Sequence, residues 1–150
     1  MTQEEKQLLL QDLCARLPYK IMVKVNDTQG IMDEIDIPNE RIFVSSLNPF
    51  LYGEVKASWF TVNGDKIYPY LRPMSSMTGE ELKEFKRLKQ MSVTVVMPNG
   101  VSLLKPTYIV DLEDDGDGMN YLYDWLNTHH FDYRGLIPKG LALQALEGMY

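Results

Sequence analysis

The chain has 150 residues, of which 45 % are hydrophobic and 24 % are charged, and its formal net charge is −6. These values are typical of a globular domain and exclude a collagen-like or strongly disordered chain. The acidic excess argues against broad binding to a phosphate backbone, which requires clustered lysines and arginines, so nucleic acid is not an expected partner.

The protein is expected in the cytoplasm, without a membrane-spanning segment. Cys14 is the only cysteine, so no internal disulfide can form and a reducing compartment is the simpler interpretation. The first residues are acidic where a secretory signal would be basic. No stretch approaches the roughly 18 apolar residues that a membrane helix needs.

The amino-terminal residues predict a helix. Thr2 and Glu5 have the spacing of a capping box, in which each side chain satisfies a free backbone N–H of the first turn. Apolar residues then recur at helical spacing and predict the buried stripe; they are Leu10, Leu13, Cys14 and Leu17. Cys14 is therefore interpreted as a small core residue.

An antiparallel meander is predicted next. From Tyr19 to Asn26 the apolar residues alternate, which places Ile21, Val23 and Val25 on one face of a strand. Ile31 to Ile37 predicts a second strand, whose apolar face is interrupted by Asp33. A third, short strand follows from Arg41 to Ser45.

Asn63-Gly64 is the strongest hairpin signal in the chain. This dipeptide readily supplies the two positive φ angles of a type I′ turn. It separates Ala57–Val62 from Lys66–Leu71, and both segments have strand composition. We therefore predict that these two strands pair.

The second half of the sequence predicts two helices and another hairpin. Thr78 and Glu81 form a second capping box, and Leu82, Phe85 and Leu88 follow at helical spacing as its buried stripe. The remaining predicted elements are a hairpin of Ser92–Met97 with Val101–Leu104, an extended segment Tyr108–Leu112, a helix from Met119 to His129 and a short element from Leu141 to Leu146.

Runs of strands with single helices between them favour an α+β class over a βαβ alternation. We predict one domain, residues 1–150, with a mostly antiparallel, curved sheet packed by two or three helices.

Three phrases of the chain resemble a group of uncharacterised proteins. The phrases are MTQEEKQLLLQDLCARLPY, IYPYLRPMSSMTGEELKEF and YDWLNTHHFDYRGLIPKGLAL. The group is carried by gut Bacteroidales and by their phages and mobile elements. The resemblance implies no activity, ligand or site residue.

The richest chemical cluster is His129-His130-Phe131-Asp132, with Asp124 upstream. Two imidazoles and a carboxylate could bind a metal or perform acid/base work. Adjacent helical residues point about 100° apart, however. The alternative is structural: the histidines finish a helix, and Asp132 either pairs with Arg134 or accepts hydrogen bonds in a turn.

Asp111 to Asp117 resembles the start of a calcium-binding loop. The twelfth position of that loop would be Leu122, where a bidentate glutamate is needed. The alternative is an acidic loop before a helix, stabilised by the helix dipole. No metal or other cofactor is predicted.

A segment rich in aromatic residues, methionine and arginine forms a candidate interface. Its residues are Tyr68, Tyr70, Arg72, Met74 and Met77. Interfaces favour these types because they offer a large contact area with polar handles. The alternative places the tyrosines and methionines in the core.

The leading hypothesis is a non-enzymatic interaction module with an unidentified protein partner, acting as an accessory protein of a phage or mobile element. A homo-oligomer stays open. The first alternative is a metal- or histidine-dependent enzyme using His129, His130 and Asp132. The second is a nucleic-acid-related module or an acidic mimic.

Overall fold

A computed structural model describes residues 1–46, 57–91, 95–96, 102–103 and 118–150. The fold class is α+β, as the sequence predicts: a six-stranded, mostly antiparallel sheet accompanies three helices in the described part of the chain. The residues group into two compact units. The first comprises Met1–Met74 with Asn127–Tyr150, and the second comprises Ser75–Leu126.

The first unit contains one α-helix and the six-stranded sheet. Its elements are α1 (Gln3–Arg16), β1 (Met22–Val25), β2 (Thr28–Asp36), β3 (Arg41–Ser46), β4 (Ser58–Thr61), β5 (Ile67–Leu71) and β8 (Leu143–Gln144), with a short 3-10 turn at Leu17–Tyr19. The order across the sheet is β4-β3-β2-β1-β5-β8. Neighbouring strands are antiparallel except for β5 and β8, which are parallel.

Helix α1 begins with the predicted capping box, which is confirmed. The Thr2 N–H donates to the Glu5 carboxylate at 2.7 Å, and the Glu5 N–H donates to the Thr2 hydroxyl at 3.1 Å. The predicted buried stripe is confirmed at Leu13, and Leu10 and Leu17 are partly buried against the core. The prediction missed Leu9, which is buried.

The predicted alternation of buried and more exposed residues in β1 is confirmed, since Val23 and Val25 are buried and Lys24 is half-buried. The predicted apolar face of β2 is confirmed at Ile35, which packs against the core, but is wrong at Ile31 and at Ile37, which is 58 % exposed. Met32 faces the core instead of Ile31, and a bulge between Met32 and Glu34 displaces Asp33 into solvent. A bulge inserts one residue and so resets the alternation after it.

The predicted pairing across Asn63-Gly64 is also wrong. The tight turn exists, because the Gly64 N–H donates to the Thr61 carbonyl at 3.2 Å. The strands on either side do not pair, however: β4 pairs with β3, and β5 pairs with β1. Both Val62 and Ile67 are buried in the core. The segment between β4 and β5 therefore packs into the core and does not form a hairpin.

One carboxylate shows that the sheet curls. Asp65 accepts from the Thr61 N–H at the end of β4 and from the Asn26 side chain just after β1, each at 2.8 Å. In a flat sheet, β4 and β1 would be separated by three strand spacings, about 14 Å. The sheet must therefore curve until a single side chain reaches both ends.

The concave face of the sheet and α1 enclose the hydrophobic core. Its buried residues are Leu9, Leu13, Ile21, Val23, Val25, Met32, Ile42, Val44, Val62, Ile67, Leu71, Leu136, Leu141 and Ala142. The opposite face of the sheet, called the outer face below, carries the alternate residues of each strand.

The second unit contains α2 (Gly79–Met91), the paired strands β6 (Val95–Val96) and β7 (Ser102–Leu103), and most of α3 (Gly118–Thr128). The β6–β7 pairing confirms the predicted hairpin. The predicted stripe of α2 is wrong at Leu82, which is 41 % exposed, whereas Leu88 is buried. The predicted strand Tyr108–Leu112 lies outside the described residues.

None of the helices in the described ranges combines the length and the apolar character needed to cross a bilayer.

We predict that Gly30→Ala destabilises the protein by at least about 2 kcal/mol, because a Cβ there collides with the Ser45 carbonyl oxygen and lies 2.5 Å from Val44 Cγ1. Gly79→Ala is the matched control, since a Cβ at Gly79 meets no heavy atom within 4 Å beyond its chain neighbours and the backbone of its own helix in the described structure. It should leave stability unchanged or raise it by up to ~1 kcal/mol. Urea unfolding of both variants checks this. Equal stabilities would contradict the register of β2 against β3.

Candidate functional site

Both histidines lie just beyond the carboxyl end of the last helix. Helix α3 ends at Thr128, and His130 adopts a left-handed conformation with φ 58°. The imidazoles then contact different rings. His129 stacks against Phe131 with 6.3 Å between centroids, whereas His130 stacks against Tyr150 at 3.7 Å. They are not brought together as a pair of ligands.

His130 is held in its neutral form. Its side chain is buried, and burial lowers the pKa of its imidazole from 6.5 to about 4, with the nearby Arg16 charge as the next cause. Its Nδ1 has no hydrogen-bond partner in the described structure. A base with a pKa so far below neutrality is poorly matched to proton transfer near pH 7.

Asp132 is a turn acceptor, which is one of the two structural roles that the sequence left open. Its carboxylate oxygens accept from the N–H groups of Leu136 at 2.7 Å and Ile137 at 2.9 Å. The side chain is 7 % exposed. Both oxygens therefore stabilise the turn between residues 132 and 137, and Arg134 pairs elsewhere.

Arg134 belongs to a buried ionic network that the sequence did not reveal. Asp12 accepts from Arg16 Nε at 2.8 Å and from Arg134 Nη1 at 2.9 Å. Arg16 Nη2 donates to the Phe131 carbonyl at 2.7 Å. Asp12 and Arg16 are fully buried. The network ties α1 to the segment that follows the histidines.

Aromatic rings and backbone hydrogen bonds complete this region. The guanidinium of Arg134 lies 4.5 Å from the centre of the Tyr133 ring, and that of Arg72 lies 4.3 Å from the centre of the Phe131 ring. The Arg72 N–H donates to the His130 carbonyl at 2.8 Å. The polar residues around position 131 thus make contacts that build the fold.

The described part of the chain contains no group of three or more His, Cys, Asp or Glu side chains able to hold a metal ion. Asp124 is exposed on α3, in the second unit. The acidic segment Asp111–Asp117 lies outside the described residues. Cys14 is half-buried, and burial raises the pKa of its thiol.

The residues of the predicted interface occupy different environments. Tyr70 is buried, with its hydroxyl accepting from Gln29 Nε2 at 2.5 Å. Tyr68 is half-buried on the outer face, and Arg72 covers the Phe131 ring. Met74 and Met77 are both half-buried, the first in the first unit and the second in the second unit.

A different aromatic cluster lies on the outer face, at the β4 edge. Trp59 is 39 % exposed and packs against Phe43, its cross-strand neighbour, with 5.3 Å between ring centroids. The Arg41 guanidinium lies 4.5 Å from the centre of the indole, and Arg41 Nε also donates to Asp36 at 2.8 Å. We call Arg41, Phe43 and Trp59 the Trp59 cluster. In the sequence, the only pattern that indicates this cluster is the spacing of Arg41 and Phe43, which are two residues apart and so share one face of a strand.

No protein-family model, curated protein or solved structure matches the chain.

We predict that Asp12→Asn costs about 3 kcal/mol of stability, because it leaves two guanidinium groups without their buried counter-charge. Glu84→Gln is the control. Glu84 pairs with Arg87 on the exposed surface of α2, and such pairs contribute less than about 1 kcal/mol. Denaturant unfolding should separate the two variants clearly. Similar losses would show that the buried network is not a principal source of stability.

We predict that His130 makes the protein less stable in acid. Its folded pKa of about 4 lies below the unfolded value of 6.5, so the unfolded chain binds the proton more tightly. The contribution is complete above pH 6.5 and declines as the pH falls towards 4, by about 3 kcal/mol in total. His130→Asn, which suits the left-handed backbone, should flatten the stability profile in this range. An unchanged profile would contradict the burial of the imidazole.

Proposed function

We propose that this chain is a non-enzymatic protein-interaction module whose contact surface is centred on the Trp59 cluster. The observation that carries the proposal is a partly exposed tryptophan on an edge strand, flanked by an aromatic ring and an arginine. Tryptophan and arginine are the residues most enriched among those that dominate binding energy at protein interfaces.

The cluster is ordered before any partner arrives. Arg41 is held on one side by the Asp36 carboxylate and on the other by the indole of Trp59. Trp59 and Phe43 form a directly opposed cross-strand pair. Because these side chains are already positioned, binding loses less conformational entropy than it would at a disordered surface.

The alternatives have weaker support. An enzyme using His129, His130 and Asp132 would need groups that instead stack on separate rings and hold a turn. A nucleic-acid interface is disfavoured by the net charge of −6. The partner in this proposal is an unidentified protein, encountered in the cytoplasm. The resemblance to proteins of phages and mobile elements extends the proposal to an accessory role in such an element.

The proposal predicts that a photo-cross-linking amino acid at Thr61, an exposed position two residues along β4 from Trp59, captures a discrete protein in the native host. The same amino acid at Gln11, an exposed position on α1, is the control and should capture nothing specific. Once the captured partner is purified, Trp59→Ala should weaken its binding by about 2 kcal/mol, or roughly 30-fold, as expected for a residue that dominates an interface.

Folding of Trp59→Ala must be checked by its unfolding midpoint, since loss of the ring contact with Phe43 should cost about 1 kcal/mol, and binding should be measured where the variant is fully folded. A protein that remains strictly monomeric and gives the same background adducts at both positions would refute an interface at this cluster. Concentration-dependent self-association lost in Trp59→Ala would instead identify a second copy as the partner.

A further inference from the structure

The backbone N–H and C=O of Trp59 point away from β3, towards the open edge of β4. Two residues along the strand, the Thr61 N–H donates to Asp65 and its carbonyl accepts from Gly64 and Asp65. The Val62 N–H points the other way, to the Glu40 carbonyl just before β3, at 2.9 Å. Backbone groups alternate direction along a strand, so Trp59 presents its N–H and C=O outward as Thr61 does.

Residues 58–61 of this edge contain no proline, lysine or bulge. Natural sheets block their edges with proline, lysine, bulges or covering elements. Residues 58–61 read Ser-Trp-Phe-Thr, and their register with β3 is regular. In the described residues, β4 has a neighbouring strand on one side only. Among the residues that the structure describes, no strand pairs with the outward N–H and C=O of Trp59.

We infer that β4 is completed by an extended segment of a partner protein, which pairs with its outer edge and places a basic side chain beside Asp65. The inference rests on the proposed function and specifies its binding mode. Strand addition combines backbone hydrogen bonds, which supply affinity, with side-chain contacts on alternate positions, which supply specificity. Here Trp59 supplies both kinds of contact.

The charge of the surface favours a basic segment. The Asp65 carboxylate bonds the outward-facing N–H of Thr61 and so lies on the outer edge of β4. Hydrogen bonds from Asn26 and Thr61 lower the pKa of this carboxyl, which keeps it ionised at neutral pH. On the outer face Glu34 lies opposite Phe43, and Arg41 is already paired with Asp36.

A second copy of the chain fits this edge less well. The backbone groups of Thr61 are already used by the turn, so a two-fold pairing centred on Trp59 would add two hydrogen bonds. Each copy would also carry a net charge of −6.

The test uses two short peptides of alternating threonine and valine, one with two lysines and one with two glutamates at the same positions. The lysine peptide should bind the intact protein at least about tenfold more tightly, by fluorescence titration. Asp65→Asn should reduce that preference about fivefold. Trp59→Ala should weaken binding of the lysine peptide, and Trp59→Pro should weaken it about fivefold more, because proline also removes the outward N–H.

Amide hydrogen exchange gives a readout within the same strand. The Trp59 N–H should exchange rapidly in the free protein and slow at least about tenfold when the lysine peptide binds. The Phe60 N–H, which points towards β3, is the internal control and should be protected in both states. This readout does not depend on whether Trp59→Pro folds.

The possible results separate this inference from the proposed function. Equal binding by Trp59→Ala and Trp59→Pro, or an unprotected Trp59 amide in the complex, would overturn strand addition while leaving a side-chain interface intact. No binding of either peptide at millimolar concentration, or a preference for the glutamate peptide, would also overturn it. A Trp59 amide protected only by self-association would assign the edge to a second copy.

Discussion

A fully buried guanidinium, that of Arg16, is the constraint on which the first unit depends. Arg16 cannot leave its charge unpaired in the core, because uncompensated burial of an ion costs several kcal/mol. Asp12 supplies the counter-charge one helical turn earlier, and the Phe131 carbonyl accepts a second hydrogen bond. These contacts fix α1 against the segment that carries both histidines. The polar groups of that segment make hydrogen bonds that stabilise the fold.

Much of the fold follows from local patterns in the sequence. The two capping boxes, at Thr2 and Thr78, depend on contacts between residues three positions apart, and both form. The errors arise where a non-local contact overrides a local one. Asn63-Gly64 makes its turn, but the burial of Val62 and Ile67 under a curled sheet decides which strands pair.

Less of the candidate site could be predicted from the sequence. Asp132 could be recognised as a turn acceptor because its partners lie four and five residues away. Asp12 and Arg16 could not be assigned to the core, since a helix with charged residues normally turns them towards water. The importance of Trp59 depends on β4 lying at the end of the strand order, and strand order is a property of the whole sheet that periodicity cannot supply.

The long separation of the Arg16 contacts in sequence has a consequence for biosynthesis. The bonds from α1 to Phe131 and Arg134 span 115 and 122 residues, so a nascent chain emerging amino terminus first exposes Asp12 and Arg16 long before their partners exist. The second unit is continuous in sequence and interrupts the first. Residues 75–126 are therefore synthesised before residues 127–150, which complete the first unit. Until that last segment emerges, apolar residues of the first unit lack part of their packing, and exposed apolar surface of this kind promotes aggregation.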